Sequence, residues 1–249
     1  SLEVRTPKNF KNNFDEYNYL KKLEPDLVLV VAYGQIIPEK FLNLSKKGFI
    51  NIHASLLPKY RGAAPIQRSI MNLDKDTGIS IMKINSKLDE GPVCKTFTVS
   101  IEENETTEQL SEKLSTLASE KILDVIDDIL DDTAIFKNQD NSLASYAKKI
   151  TKEEGSINWM SPARKIIAII NGLNGAYFFF NGARYKILRA VLSNSKGRPG
   201  EVIGDELEIA CEDVSIKVLL IQREGKRPQK TSEFLLGSQI KKGCFLLNV

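Results

Sequence analysis

The chain has 249 residues, 42% hydrophobic and 27% charged, which suits a globular protein and excludes both disorder and membrane spans, since no apolar run approaches the ~20 residues a bilayer requires. Its three cysteines, Cys94, Cys211 and Cys244, are scattered and odd in number, which argues against a disulfide framework or a metal knuckle and for a reducing compartment. The net charge of +3 is uneven: residues 1–150 carry 20 Lys and Arg against 22 Asp and Glu, and residues 151–249 carry 15 against 10. A basic second half fits a nucleic-acid surface and equally a solvated face without a partner.

In chain order, "PDLVLVVAYG" (Pro25 to Gly34) is a continuous apolar run that predicts a strand buried on both faces, as in parallel sheets. Pro38 at a first-turn position and "PEKFLNLSKK" predict a helix ended by Gly48, and "FINIH" is the next strand, completing a βαβ unit. "GISIMKI" (Gly78 to Ile84) and "CKTFTVSI" (Cys94 to Ile101) predict two further strands. A long helix over 107–131 opens with the capping-box text "TTEQ" and repeats apolar residues at Leu110, Leu114, Leu117, Ile122, Val125 and Ile129. The polar text that follows predicts a linker over 133–150, between a domain over 1–132 and a second over 151–249. Beyond it Ser161 as N-cap, Pro162 at the first helical position and Gly172 past the end frame a short helix. "AYFFFNGARYKILRA" predicts a hairpin turning at Asn181-Gly182, its aromatics at least half core. "GEVIG", "ELEIAC" and "VSIKVLLIQ" then complete a small, OB-like β-barrel. The fold class is α/β.

Asn51 and His53 lie two residues apart, so on a strand they project from one face, at the carboxyl end where open α/β sheets hold ligands. His53 is the only histidine in the chain. Asp89, in the loop text "KLDEGPV", can fold back toward the same edge. Together they supply an amide donor, a group that titrates near neutrality and a carboxylate able to orient it. A histidine at a strand end is more often structural than reactive. The text that follows, "SLLPKYRGAAPIQRS", shifts the balance, because a long loop bearing Gly and Pro is costly to order unless it binds something.

"NIHASLLPKYRGAAPIQRSI", "TGISIMKINSKLDEGPV" and "SYAKKITKEEGSINW" resemble the methionyl-tRNA formyltransferase family, over nearly the whole chain. Asn-x-His with Ser-Leu-Leu-Pro is shared by folate-dependent formyltransferases of this fold, whereas "RGAAPIQRS" and the linker text point to the tRNA branch. The resemblance implies a Rossmann-like formyltransferase domain followed by the barrel. It implies an enzyme moving a formyl group from 10-formyltetrahydrofolate to the methionine amine of initiator tRNA, for translation initiation, with no metal. On the family pattern Asn51 hydrogen-bonds the developing oxyanion. His53 stabilises that oxyanion as imidazolium or relays the amine proton to the folate nitrogen, and Asp89 orients His53 and favours its protonated form. The implied folate-binding residues are Tyr33, Gly34, Gln35, Ile36 and Ile37, then Ser55, Leu56, Leu57 and Pro58, then Leu88 and Gly91. Candidate tRNA contacts are Arg61, Lys148, Lys149, Lys152, Arg184, Lys186, Lys226 and Arg227. A monomer is expected, without membrane contact, in the bacterial cytoplasm or, given a leader, the mitochondrial matrix.

Two departures qualify the resemblance. The chain opens on "SLEVRTPKNF", without the strand, helix, second strand and basic loop that begin the family pattern. It is read as a fragment whose sheet exposes apolar surface and which is unstable or poorly active alone. "NGLNGAYF" also lacks the prolines usual at that point. The rival readings are a related folate-dependent formyltransferase or formylfolate hydrolase acting on a small substrate, which has no use for a basic second domain, and a noncatalytic tRNA-binding remnant, which has no use for Asn51, His53 and Asp89.

Overall fold

The computed structural model describes residues 2–246, and the chain divides into two compact units. The first comprises Ser1–Pro65, Thr77–Val99 and Lys113–Lys148, the second Ile66–Asp76, Ser100–Glu112 and Lys149–Val249. Elements follow in the order α1 (Phe14–Leu23), β1 (Val28–Val31), α2 (Glu39–Leu42), β2 (Phe49–His53), β3 (Arg61–Gly62), α3 (Pro65–Met71), β4 (Asp76–Lys83), β5 (Val93–Ser100), α4 (Thr107–Leu130) and β6 (Tyr146–Ala147). After these come α5 (Ala163–Gly172), β7 (Ala176–Phe180), β8 (Ala183–Ser193), β9 (Val202–Gly204), β10 (Glu208–Ala210), β11 (Ser215–Arg223), β12 (Gln229–Lys230) and α6 (Thr231–Gly237).

The first unit is built on a four-stranded sheet in the order β1-β2-β4-β5. The pair β1 and β2 is parallel, but β4 runs antiparallel to β2, with Asn51 opposite Met82 and His53 opposite Ser80, so the sheet is mixed. One face packs Ile50 and Ile81 against Ile122, Val125 and Ile129 of α4. On the other, Phe49 joins Phe41 and Ile37. The expectation that β1 is buried on both faces is corrected: it is the edge strand, its burial alternates, and Val31 is 56% exposed. The helix expected after Pro38 is a single turn, α2, with Pro38 as its N-cap.

Residues 133–148, read from the sequence as linker, run along this first unit. Ala134 and Phe136 pack against the α4 cluster, Lys137 bridges to Val93, and β6 pairs with β3 in parallel. These pairings are two residues long or shorter and carry no periodicity.

In the second unit Thr106 and Gln109 form the reciprocal capping box expected at the start of α4. The Gln109 N–H donates to Thr106 Oγ1 at 3.3 Å and the Thr106 N–H to Gln109 Oε1 at 3.0 Å. The N-cap of α5 is Pro162 rather than Ser161. A proline ring offers no cap, and the Ala163 N–H is taken instead by Asp213 Oδ1 at 2.8 Å. The hairpin of β7 and β8 turns at Asn181 and Gly182, both at positive φ, as an Asn-Gly turn requires. The sheet is antiparallel in the order β7-β8-β11-β10-β9, with β12 on β11. No ladder joins β7 to β9 among the described residues, so the small, OB-like barrel expected here is not closed by strand pairing. Its inner face holds Phe178, Tyr185, Ile187 and Ile216 around Trp159, while Phe179 faces outward.

Candidate active site

The alternation of β2 decides which side chains meet the core. Ile50 and Ile52 go to the α4 side, leaving Asn51 and His53 on the opposite face, about 7 Å apart along the strand. Asn51 is half-buried and His53 only 6% exposed.

Two protein groups address the imidazole. Its Nε2 lies 2.8 Å from the Tyr60 carbonyl oxygen. A carbonyl only accepts, so Nε2 carries a proton. Its Nδ1 faces Asp89 Oδ2 at 3.7 Å, too long for a direct hydrogen bond and short enough for a third group to complete. The Asp89 side chain is 17% exposed. Tyr60 and Asp89 both adopt left-handed backbone, φ 61° and 50°, at a cost of about 1–2 kcal/mol each for an L residue. Strain of that kind persists only where surrounding contacts over-determine it.

Those contacts are dense. The Ser80 hydroxyl donates to the Ser55 carbonyl at 2.7 Å and accepts from the Leu57 N–H at 3.0 Å, pinning the chain as it leaves β2. The Ser55 hydroxyl donates to the Lys59 carbonyl at 2.6 Å. The Tyr60 N–H donates to Ser145 Oγ at 2.9 Å and the Arg61 N–H to the Ser145 carbonyl at 2.8 Å. The Gly62 N–H donates to Asp89 Oδ2 at 2.8 Å. Gly62 sits at φ 116°, and a Cβ there would stand 2.8 Å from the Ala147 carbonyl oxygen. At Gly91 a Cβ would stand 1.7 Å from the Lys83 carbonyl oxygen, so the loop carrying Asp89 lies flush on β4.

The structure thus brings together His53 and Asp89, with Asn51 on the same face as His53. The expected folate residues separate. Ile36 and Leu88 are 84% and 60% exposed, with Tyr33 partly so. Gly34, Gln35, Leu56, Leu57 and Pro58 retain surface, Gln35 donating to the Lys8 carbonyl at 3.0 Å. Ile37, Ser55 and Gly91 are buried and committed to their own loops, so they shape the site without surface to offer a ligand. Among the tRNA candidates, Arg61 is corrected: it is 1% exposed, its guanidinium enclosed by Gln139, Asn141 and Glu90, and it has no surface for a macromolecule. Lys148 is exposed in the first unit. In the second, Lys149, Lys152, Arg184, Lys226 and Arg227 are exposed and Lys186 partly so. Lys186 sits opposite Tyr177, and Arg184 opposite Phe179 with its guanidinium 5.7 Å from the Tyr177 ring centroid. Sequence reasoning missed Tyr60, Ser80, Gln139 and Ser145. Three of them act through a carbonyl or hydroxyl, for which no spacing rule exists.

Comparison with known proteins adds the class. A family described as "Formyl transferase" matches residues 3–126, and "Formyl transferase, C-terminal domain" matches residues 149–239. The chain belongs to the formyl transferase family. Within it, the methionyl-tRNA formyltransferase of Pelagibacter ubique is 57% identical over 253 residues, spanning 100% of this chain and 82% of that protein. Among solved structures, HypX from Aquifex aeolicus in complex with tetrahydrofolic acid superposes with a TM-score of 0.70 at 15% identity, over 92% of this chain and 44% of its own. The sugar 3N-formyl transferase WlaRD, determined in the presence of dTDP and 5-N-formyl-THF, gives 0.64 at 21% identity, over 84% and 77%. At such identities the structures speak for the fold alone.

Proposed function

We propose that this chain transfers a formyl group from 10-formyltetrahydrofolate to the amino group of methionine on initiator tRNA. The observation that carries the reading is the convergence of the His53 imidazole and the Asp89 carboxylate, beside Asn51, in a chain 57% identical over its whole length to a methionyl-tRNA formyltransferase.

When bound, the folate supplies an activated formyl carbonyl whose oxygen becomes negative as the amine attacks. The Asn51 amide would donate a hydrogen bond to that oxygen, a contribution typically worth about 10²- to 10³-fold in rate. With the Nε2 proton committed to Tyr60, His53 works through Nδ1, the edge it shares with Asp89. A proton released by the attacking nitrogen would enter this 3.7 Å gap and leave toward the departing folate nitrogen. Ile36, Leu88 and Tyr33 would hold the ring, and the exposed cations from Lys148 to Arg227 would face phosphates. A monomer suffices, because one chain supplies all three reactive groups. The bacterial relative favours the cytoplasm over the mitochondrial matrix, and no helix among the described residues is long and apolar enough to cross a membrane.

The test supplies the purified protein with formyl-labelled 10-formyltetrahydrofolate and offers charged initiator tRNA, amino-sugar nucleotides or water as acceptor. Label on the methionine of tRNA is expected. Label on a sugar, or released as formate with tRNA untouched, overturns the assignment.

A further inference from the structure

The guanidinium of Arg61 takes no part in the chemistry above, yet it is among the largest fully buried side chains of the described residues. A buried charge is costly unless paired and hydrogen-bonded, so its partners indicate its use. Its Nε and Nη2 both donate to Gln139 Oε1, at 3.0 and 2.8 Å, and Nη2 also donates to Asn141 Oδ1 at 2.8 Å. Nη1 makes no well-formed hydrogen bond and is held by charge, 3.1 Å from Glu90 Oε1. Gln139 in turn donates from Nε2 to the carbonyls of Asp89, at 2.7 Å, and Gly91, at 2.8 Å.

These contacts admit one arrangement. A guanidinium only donates and a carbonyl only accepts, so the Gln139 amide has its oxygen toward Arg61 and its nitrogen toward the loop. Arg61 thereby fixes the one orientation in which Gln139 can grip the backbone on both sides of Glu90. The backbone flanking Arg61 addresses the same groups: the Tyr60 carbonyl accepts from His53, and the Gly62 N–H donates to the Asp89 carboxylate. The tripeptide Tyr60–Gly62 therefore touches both reactive side chains through its main chain and anchors the Asp89 loop through its side chain.

We propose that Arg61 and Gln139 form a positioning relay that sets the Asp89 carboxylate against His53, making the segment around Gln139 a tuner of the transfer step. The inference rests on the role assigned to Asp89 above. Neither residue touches the reacting atoms; both act through Asp89.

Gln139→Glu isolates the relay, because it keeps the acceptor for Arg61 and removes both donors to the loop. In the purified protein kcat is expected to fall about 10- to 100-fold, the scale of a small misplacement of a reacting group, with KM for tRNA and for the formyl donor changed less than about twofold. In an Asp89→Asn background the same substitution is expected to cost less than about twofold, because its effect passes through the carboxylate already removed. Wild-type kcat in Gln139→Glu, or a loss that persists undiminished in the Asp89→Asn background, overturns the relay while leaving the formyl-transfer reading intact. Full activity of Asp89→Asn overturns the relay together with the role assigned to Asp89. If Gln139→Glu does not fold, as judged by a cooperative melt, the cycle is run with Arg61→Lys, which keeps the charge beside Glu90 but lacks the planar fork, and the same outcomes decide.

Discussion

A carbonyl oxygen has only lone pairs to offer, and that fact fixes how the single histidine works. With Tyr60 O at 2.8 Å, His53 keeps its proton on Nε2, and Nδ1 is the nitrogen turned toward Asp89. Because no other imidazole is present, ¹⁵N spectroscopy of labelled protein reads this without assignment. The neutral form is expected as the Nε2–H tautomer, and an Nδ1–H tautomer would contradict the geometry. The nearness of these side chains was legible at this scale. Asn51 and His53 were readable from their two-residue spacing on an apolar strand, and Asp89 from the loop text "KLDEGPV" that can fold back toward the same edge. Arg61 was not, because a cation among Lys59, Tyr60 and Gly62 in a loop reads as surface. Only the distant acceptors Gln139, Asn141 and Glu90 make its burial tolerable.

Among the elements, α5 shows where local rules stop. Its sequence promised a cap from Ser161, yet the chain places Pro162 there and takes the cap from Asp213, a residue remote in sequence. The hydrogen bond from the Ala163 N–H holds the Asp213 carboxyl below its ordinary range, against an opposing desolvation. A depressed carboxylate stabilises the fold above its unfolded pKa, near 3.9, and that contribution is lost as pH falls through the folded value. Asp213→Ala is therefore expected to cost about 0.5–1 kcal/mol at neutral pH, at the low end for a cap because the side chain is exposed. The deficit should shrink below about pH 4. Chemical denaturation at pH 7 and pH 3 checks this, and an equal deficit at both contradicts it. Elements set by periodicity or local capping, such as α4 with its capping box and the Asn181-Gly182 hairpin, were readable. The direction of β4 and the pairing of β3 with β6 were not, because both depend on partners that adjacent text does not name.

At the scale of the molecule, the text distinguished an α/β part from a later β-rich part, with the excess of positive charge in residues 151–249. Barrel closure was beyond it, since strand count and spacing do not say whether the first and last strands of a sheet meet. Residues 133–148 show the same limit more sharply. Polar and aperiodic, they read as linker, yet Gln139 fastens the loop that carries Asp89, and Ser145 fastens Tyr60, whose carbonyl holds His53. On the proposed function, the Nδ1 edge of His53 serves the transfer step and not the binding of tRNA. The direct measurement is the single-turnover rate of formyl transfer to charged initiator tRNA in His53→Ala, with tRNA affinity determined on the same protein. A rate lower by about 10²- to 10⁴-fold at nearly unchanged affinity is expected. Transfer at the wild-type rate, or a loss explained wholly by weakened tRNA binding, would contradict it.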